Sequence, residues 1–323
     1  MGFHFKTAAE TLGLAHDILS FERFQSSFKL FNKIAWRLLD KKLWRQNQFE
    51  DQLIHQSQIQ KSKTILVLGT SPISRKTLEK LKAKDIKIIN VLTDDPWSPH
   101  HSSKWLFQSL GSYDLIMNPR KSNLDQLKSI SNNRVVYMPF GYNPKVHFIE
   151  STLTPEQEER YRSDVMFFGG ADKDRFPYIL ELIRKGFSVK LYGGYWDRFP
   201  ETRPLTLGIV KLSEIRKAVK ASKVVLNLVR RSNRDGHVMR TFEAPAMGGC
   251  VLNELTEEHL EIIGKDNSLF FQTPEEMAQQ AKLLIQSKDL SSKFTQLNRD
   301  RILMGKNTYA DRLKTILEYL SSL

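Results

Sequence analysis

The chain of 323 residues has a single cysteine, Cys250, which excludes an internal disulfide and any cysteine-rich zinc site. It has no apolar run near the roughly 18–20 residues that a membrane span needs. Met1–Leu14 mixes His, Lys and Glu without an apolar core, so it does not read as a signal peptide. Helix-turn-helix, zinc-finger and RNP signatures are missing, as are internal repeats and low-complexity segments. These absences make a cytoplasmic protein the default expectation.

What is present is ordinary in bulk and unusual in charge. Hydrophobic residues make up 40% and charged residues 26%, so the chain can bury a large core, and its length favours two domains. The formal net charge is +13, from 49 Lys and Arg against 36 Asp and Glu. A basic balance suits nucleic acid, an anionic membrane surface or anionic small ligands. The surplus is spread along the chain and accompanies no binding motif, so no nucleic acid is expected as a partner.

Apolar, β-rich runs alternate with helical patterns, which predicts an α/β protein with parallel sheets. Expected strands in the first half are His16–Phe21, Thr64–Leu68, Ile86–Thr93, Asp114–Met117 and Val135–Met138. In the second half they are Asp164–Phe168, Ser188–Tyr192, Lys223–Leu228, Cys250–Asn253 and Ser268–Phe271. Helices are expected at Phe176–Lys185, Leu212–Ala221, Pro274–Gln286 and Tyr309–Leu320, among others. Pro139, Asn143-Pro144 and Pro155 interrupt the pattern near Gly141–Ser163, dividing the chain into domains 1–150 and 151–323. Two Rossmann-like halves of similar size imply a ligand cleft beyond the strand C-termini. The first half opens on a helical pattern where such a half usually opens on a strand, so its first strand is expected to be missing.

Phe24–Arg45 reads as one amphipathic helix. Lys29, Lys33, Arg37, Lys41 and Arg45 recur every four residues, with Phe28, Phe31, Ala35, Leu38 and Leu39 on the other side. One reading is a helix facing a membrane surface or an acceptor. The favoured reading is a core helix with a solvated cationic face, because any surface helix has this periodicity.

The residues most suited to chemistry lie between Asp235 and Leu252. A polar loop with Asp235, His237 and Arg240 runs into a short small-residue helix carrying Thr241 and Glu243, then Gly248-Gly249, then a Cys-Val-Leu strand. The order places the charges around a helix N-terminus, where outward N–H groups favour an anion. Glu243 in the first turn could accept two hydrogen bonds from a ribose diol, or simply complement the helix dipole. Arg240 and His237 could neutralise a diphosphate, or be solvated loop charges.

Three strand ends add candidates. Phe168-Gly169-Gly170, followed by Arg175, would let a phosphate or sugar approach the backbone closely. Tyr192-Gly193-Gly194-Tyr195-Trp196 could stack aromatic rings on a base, or be a turn capped by a packed Trp. Asp94-Asp95-Pro96 could supply a general base towards an acceptor hydroxyl, or cap a turn. His100-His101 has no partner at ligand spacing, so no metal site is expected.

These elements, in this order, resemble the CgeB-like (spore maturation protein type) glycosyltransferases of the GT-B superfamily. The resemblance rests on Asp94-Asp95-Pro96, Pro139-Phe-Gly-Tyr-Asn-Pro144, Asp164-Val-Met-Phe-Phe-Gly169 with Arg175, and Tyr192-Gly193 with Trp196. Lys223-Val-Val-Leu-Asn-Leu228 and Arg240-Thr-Phe-Glu243-Ala, with Ala246, Gly248 and Val251-Leu252, complete it. It covers roughly residues 60–323. It implies a GT-B fold, with a nucleotide-sugar donor on the C-terminal domain and a glycan, lipid or small-molecule acceptor on the N-terminal one. It also implies hexosyl or related transfer without metal or other cofactor. Retaining relatives use two acids with seven residues between them, which maps the ribose role onto Glu243 and a sugar-side role onto Asp235, a shorter acid than usual.

Overall fold

The computed structural model describes residues 1–71, 73–131 and 134–322, except the side chains of Lys29, Lys33 and Ala35. Two compact units emerge. The first comprises Met1–Pro139, Ser232–Arg234 and Leu313–Leu323; the second comprises Phe140–Arg231 and Asp235–Arg312. Where the sequence suggested one cut after residue 150, contacts place it after Pro139 and return two later segments to the first unit.

The first unit holds four parallel strands in the order β1 (Thr64–Leu68), β2 (Lys87–Val91), β3 (Leu115–Asn118) and β4 (Val135–Tyr137). Leu66 pairs with Ile89, and Ile89 with Leu115. Ile88, Ile89 and Ile116 are fully buried, as β-branched residues in a sheet covered by helices should be. Ser74 caps the helix Arg75–Lys82, its hydroxyl accepting from the Thr77 N–H. Buried Glu50 secures that helix start, accepting from the Ser74 N–H and hydroxyl, the Thr77 hydroxyl and the Gln46 amide. Four donors on one carboxylate at a helix N-terminus offset the cost of burying it.

Two expectations for the N-terminal region fail. His16–Phe21 forms no strand; it runs irregularly into a 3₁₀ turn at Phe21–Phe24. Asp17 accepts from the Ile18 N–H and the Ser20 hydroxyl from the Glu22 N–H, local bonds that use donors a sheet would need. Leu19, Phe21 and Phe24 instead pack on the core of this unit. Phe24–Arg45 is likewise not one helix. A helix spans Lys29–Leu38, Asp40 and Lys41 adopt φ of 49° and 65°, and a new helix begins at Gln46. Phe28, Leu30 and Leu38 are exposed, so this is no core helix; Lys29, Lys33 and Ala35 of the expected faces lie outside the described side chains.

The second unit holds five parallel strands: β5 (Ser163–Phe168), β6 (Val189–Tyr192), β7 (Ser222–Asn227), β8 (Val251–Glu254) and β9 (Phe270–Phe271). Their order is β6-β5-β7-β8-β9. Alternate residues serve opposite faces. Val165, Phe167, Val224 and Leu226 pack beneath Ile179, Leu182, Met277 and Ala281. Met166 and Val225 pack with Ala218, Val219, Ala244 and Met247 on the other side. The remaining nine expected strands are thus present, most shifted by one or two residues at their ends. After β6 the chain passes back across β5 to place β7 on its other side, so the connections diverge between the C-terminal ends of β5 and β7. Such a reversal leaves a crevice at the strand ends.

A candidate anion site at the strand ends of the second unit

Three arginines converge where β5 and β7 part. Arg240, first residue of the helix Arg240–Ala246, sends Nε to the Phe168 carbonyl at 2.5 Å. Its Nη1 lies 3.3 Å from Asn227 Oδ1 and 3.4 Å from the Leu228 carbonyl, and its guanidinium stacks 4.4 Å from the Phe167 ring centre. Arg175 donates to the Gly170 carbonyl at 3.0 Å and to the Leu228 carbonyl at 3.3 Å. Arg230, just beyond β7 and partly exposed, lies 3.5 Å from Asp172.

Arg175 and Arg240 are both buried; among the described residues Asp172, 3.6 Å from Arg175, is the acid in ion-pair range of Arg175, with Glu254 and Asp174 acting from farther off. Burial and the neighbouring Arg230 cation, partly opposed by Asp172, push the Arg175 guanidinium down to about 10. Burial first, then Arg175 itself, holds Arg240 well below its ordinary value. Buried cations that oppose each other's charge are stabilised by an entering anion.

The two glycines of the β5 turn differ in role. A Cβ on Gly169 would fall 2.6 Å from Arg240 Nη2, so this glycine makes room for the arginine. A Cβ on Gly170 would meet nothing closer than 3.6 Å, with Arg230 Nη2 at 3.7 Å. The N–H of Gly169 is taken by the Tyr192 carbonyl and that of Ala171 by Gly194, whereas the Gly170 N–H has no acceptor among the described residues. Gly170 is therefore the point where a backbone N–H without an acceptor among the described residues lies beside the cations.

Glu243 lies in the same helix as Arg240, nearly buried, with His147 Nε2 at 3.6 Å from Oε1. His147 Nδ1 accepts the Asn143 N–H, which places the imidazole proton on Nε2, facing the carboxylate. Burial pushes the Glu243 carboxyl up to about 7, with Arg240 pulling it back.

Several expected site residues have structural roles instead. At the helix N-terminus the N–H groups of Thr241, Phe242 and Glu243 are taken by the Val238 and Met239 carbonyls. The anion-favouring charge comes from side chains at the strand ends. His237 is fully buried; its Nε2 accepts the Phe140 N–H at 3.0 Å and its Nδ1 meets Glu258 at 2.5 Å, so neither nitrogen faces a ligand. The Thr241 hydroxyl is held among Asn227, His259 and the Val238 N–H. The Tyr192 ring is packed with Tyr161, Met166 and Val225 and offers no stacking face. A Cβ on Gly193 would come 2.4 Å from the Gly169 carbonyl oxygen, so that glycine serves strand packing. Trp196 is buried and donates to the same carbonyl. Asp235 is exposed and makes no hydrogen bond or ion pair among the described residues.

In the first unit, the two acids at the end of β2 divide their roles. Asp95 is buried: Oδ1 accepts the Trp97 N–H at 2.9 Å and Oδ2 pairs with Arg234 at 2.6 Å. Both oxygens are committed, which corrects its reading as a base. Asp94 stays partly exposed, held by the Thr93 hydroxyl at 2.9 Å and by Asn233 at 3.4 Å.

Sequence reasoning missed Arg230 and His147. Arg230 sits just past the last residues of a strand pattern, the place where ligand groups gather in parallel sheets, and that position was the available signal. His147 had none, since its pairing with Glu243 crosses 96 positions of sequence.

Comparison with known proteins gives three findings. A family model described as glycosyl transferase-like matches residues 177–318, a span that includes Arg230, Arg240 and Glu243. No curated protein matches the chain. Among solved structures, Anabaena HepE in complex with UDP-glucose has a TM-score of 0.64 at 13% identity, covering 98% of this chain and 89% of that one. Sucrose-phosphate synthase from Thermosynechococcus elongatus has 0.62 at 10% identity, covering 85% and 77%. A Listeria monocytogenes protein described as a UDP-N-acetylglucosamine 2-epimerase has 0.56 at 15%, covering 98% and 87%. The chain has the GT-B fold, with two Rossmann-like α/β units.

Proposed function

We propose that the protein is a glycosyltransferase that takes a nucleoside-diphosphate sugar and passes the sugar to a hydroxylated acceptor. The observation that carries this reading is the cluster of Arg175, Arg230 and Arg240 around the Gly170 N–H, which has no acceptor among the described residues, inside or beside the glycosyl transferase-like segment. The HepE structures with UDP and with UDP-glucose lend support from the same fold. The motifs around Arg240 and Glu243 favour the CgeB-like type within that class.

In this reading the diphosphate lies against Gly170 and Arg230, with Arg240 and Arg175 behind them as a fixed positive field. Negative charge builds on the departing diphosphate as the sugar leaves, and preset cations and an N–H stabilise it without reorganising. Guanidinium groups supply that charge, so the reading needs no metal. Glu243, once ionised, accepts the ribose hydroxyls; His147 orients it. Asp235 lies towards the sugar, and Asp94 is the carboxylate of the first unit left for an acceptor hydroxyl.

The test is calorimetric titration of UDP, GDP and ADP into the purified chain, followed by donor turnover with candidate acceptors. Binding of at least one nucleoside diphosphate, weakened by about 1.5–3 kcal/mol in Arg230→Ala, is expected for a lost charged hydrogen bond. No binding of any of the three ends the proposal. Binding without turnover points to a GT-B-shaped binding protein, and isomerised sugar without acceptor points to an epimerase.

A further inference from the structure

We propose that the Phe28–Arg45 segment of the first unit docks on an anionic lipid surface. The segment leaves a cluster of large apolar side chains in solvent: Phe28 is 76% exposed, Leu30 71%, Ile34 47%, Leu38 78% and Trp44 58%. Leu30, Ile34 and Leu38 recur every four residues, so they form one stripe along the helix Lys29–Leu38. Phe31 and Trp44 close its edge as an edge-to-face pair with ring centres 4.8 Å apart. Contiguous apolar surface of this kind marks an interaction site, whereas scattered exposed residues need no account.

Charge identifies the occupant. Between Arg23 and Arg45 the sequence carries seven Lys or Arg and one acid, Asp40. Asp40 accepts the Lys104 N–H, and Lys41 is turned to the Ser102 carbonyl. Arg37 on that helix is exposed, as are Arg23 before it and Arg45 after it in the sequence, with Lys42 half-buried. An aliphatic stripe accompanied by cations and a Trp matches the boundary between acyl chains and anionic headgroups, where such helices lie in the plane of the bilayer. Among the described residues no helix is long and apolar enough to cross a membrane, so the contact is a peripheral one. The proposal is independent of the transferase reading.

The experiment is co-sedimentation of the full chain, without donor, with two kinds of vesicle. One is phosphatidylcholine alone; the other includes phosphatidylglycerol as a substantial minority. Binding is expected only to the anionic vesicles, and it should weaken as salt rises from about 0.1 to about 0.5 M. The exposed triple variant Leu30→Ser/Ile34→Ser/Leu38→Ser should bind at least about tenfold more weakly with an unchanged circular dichroism spectrum. Each of Arg37→Ser and Arg45→Ser should cost about fivefold. Equal binding to both vesicles, no binding to either, or undiminished binding of the triple variant would overturn the proposal. So would a lipid-free dimer that the triple variant abolishes and anionic vesicles leave intact, which would assign the face to a second copy.

Discussion

Both sheets set charged residues at the C-terminal ends of their strands, but they balance them differently. At the end of β2 the two acids are answered nearby: Asp95 by Arg234, Asp94 by Thr93 and Asn233. At the ends of β5 and β7, buried Arg175 and partly exposed Arg230 share Asp172, while among the described residues buried Arg240 is opposed only through Glu243, itself buried and pushed towards its neutral form. The topologies differ in parallel. The first sheet runs β1-β2-β3-β4 without reversal, whereas the second turns back across β5. A charge answered within the fold supports the fold, and an excess charge at a reversal point awaits a ligand.

The largest test of this contrast is Asp95→Ala, which leaves Arg234 without its partner. It should lower unfolding free energy by about 2–4 kcal/mol, because the Trp97 N–H also loses its acceptor while exposed Arg234 stays hydrated, and Asp94→Asn should stay within about 0.5 kcal/mol. Denaturant titration of both variants measures the gap; equal losses would erase the distinction between the two acids. Second is Glu243→Gln. The folded carboxyl stands near 7, above its ordinary 4.5, so the stability it contributes is present at low pH and is lost as pH rises through 7. The Gln variant should therefore gain on the wild type between pH 5 and 8, by up to about 3 kcal/mol. Nucleoside diphosphate affinity of the wild type should move the opposite way, improving as pH rises and Glu243 ionises, and the variant should lack that slope.

A smaller effect separates the paired glycines. Gly169→Ala presses a methyl on Arg240 and should cost about 1–3 kcal/mol of stability. Gly170→Ala should leave the melting temperature almost unchanged yet weaken diphosphate binding by about 1 kcal/mol, because the methyl occupies the approach to the N–H. Loss of stability in both variants with no change in binding would mean that the turn is scaffold alone.

Much of the fold was legible because strands of a sheet covered by helices are largely apolar, and nine such runs stand out. His16–Phe21 misled because a short apolar run carries no record of whether Asp17 and Ser20 will bond to their own backbone. Gly169, Gly170 and Arg175 were expected from their place after a strand and Arg240 from a loop entering a helix, and the fold brings the four together. His237, Thr241, Tyr192 and Asp95 have side chains equally able to bind a ligand or to satisfy a neighbour. Their partners, Phe140, His259, Tyr161 and Arg234, lie far away in sequence or carry no local signal.

The sequence by itself determined the α/β class, the strand positions, the excess of positive charge and the placing of glycines and cations beyond strands, because these follow from local patterning. Only the tertiary structure decided which charges are answered, that Gly169 makes room for Arg240, and that Leu30, Ile34 and Leu38 stay in water. Those outcomes depend on which residues distant in the chain come within a few ångströms, and burial and electrostatics act at that range.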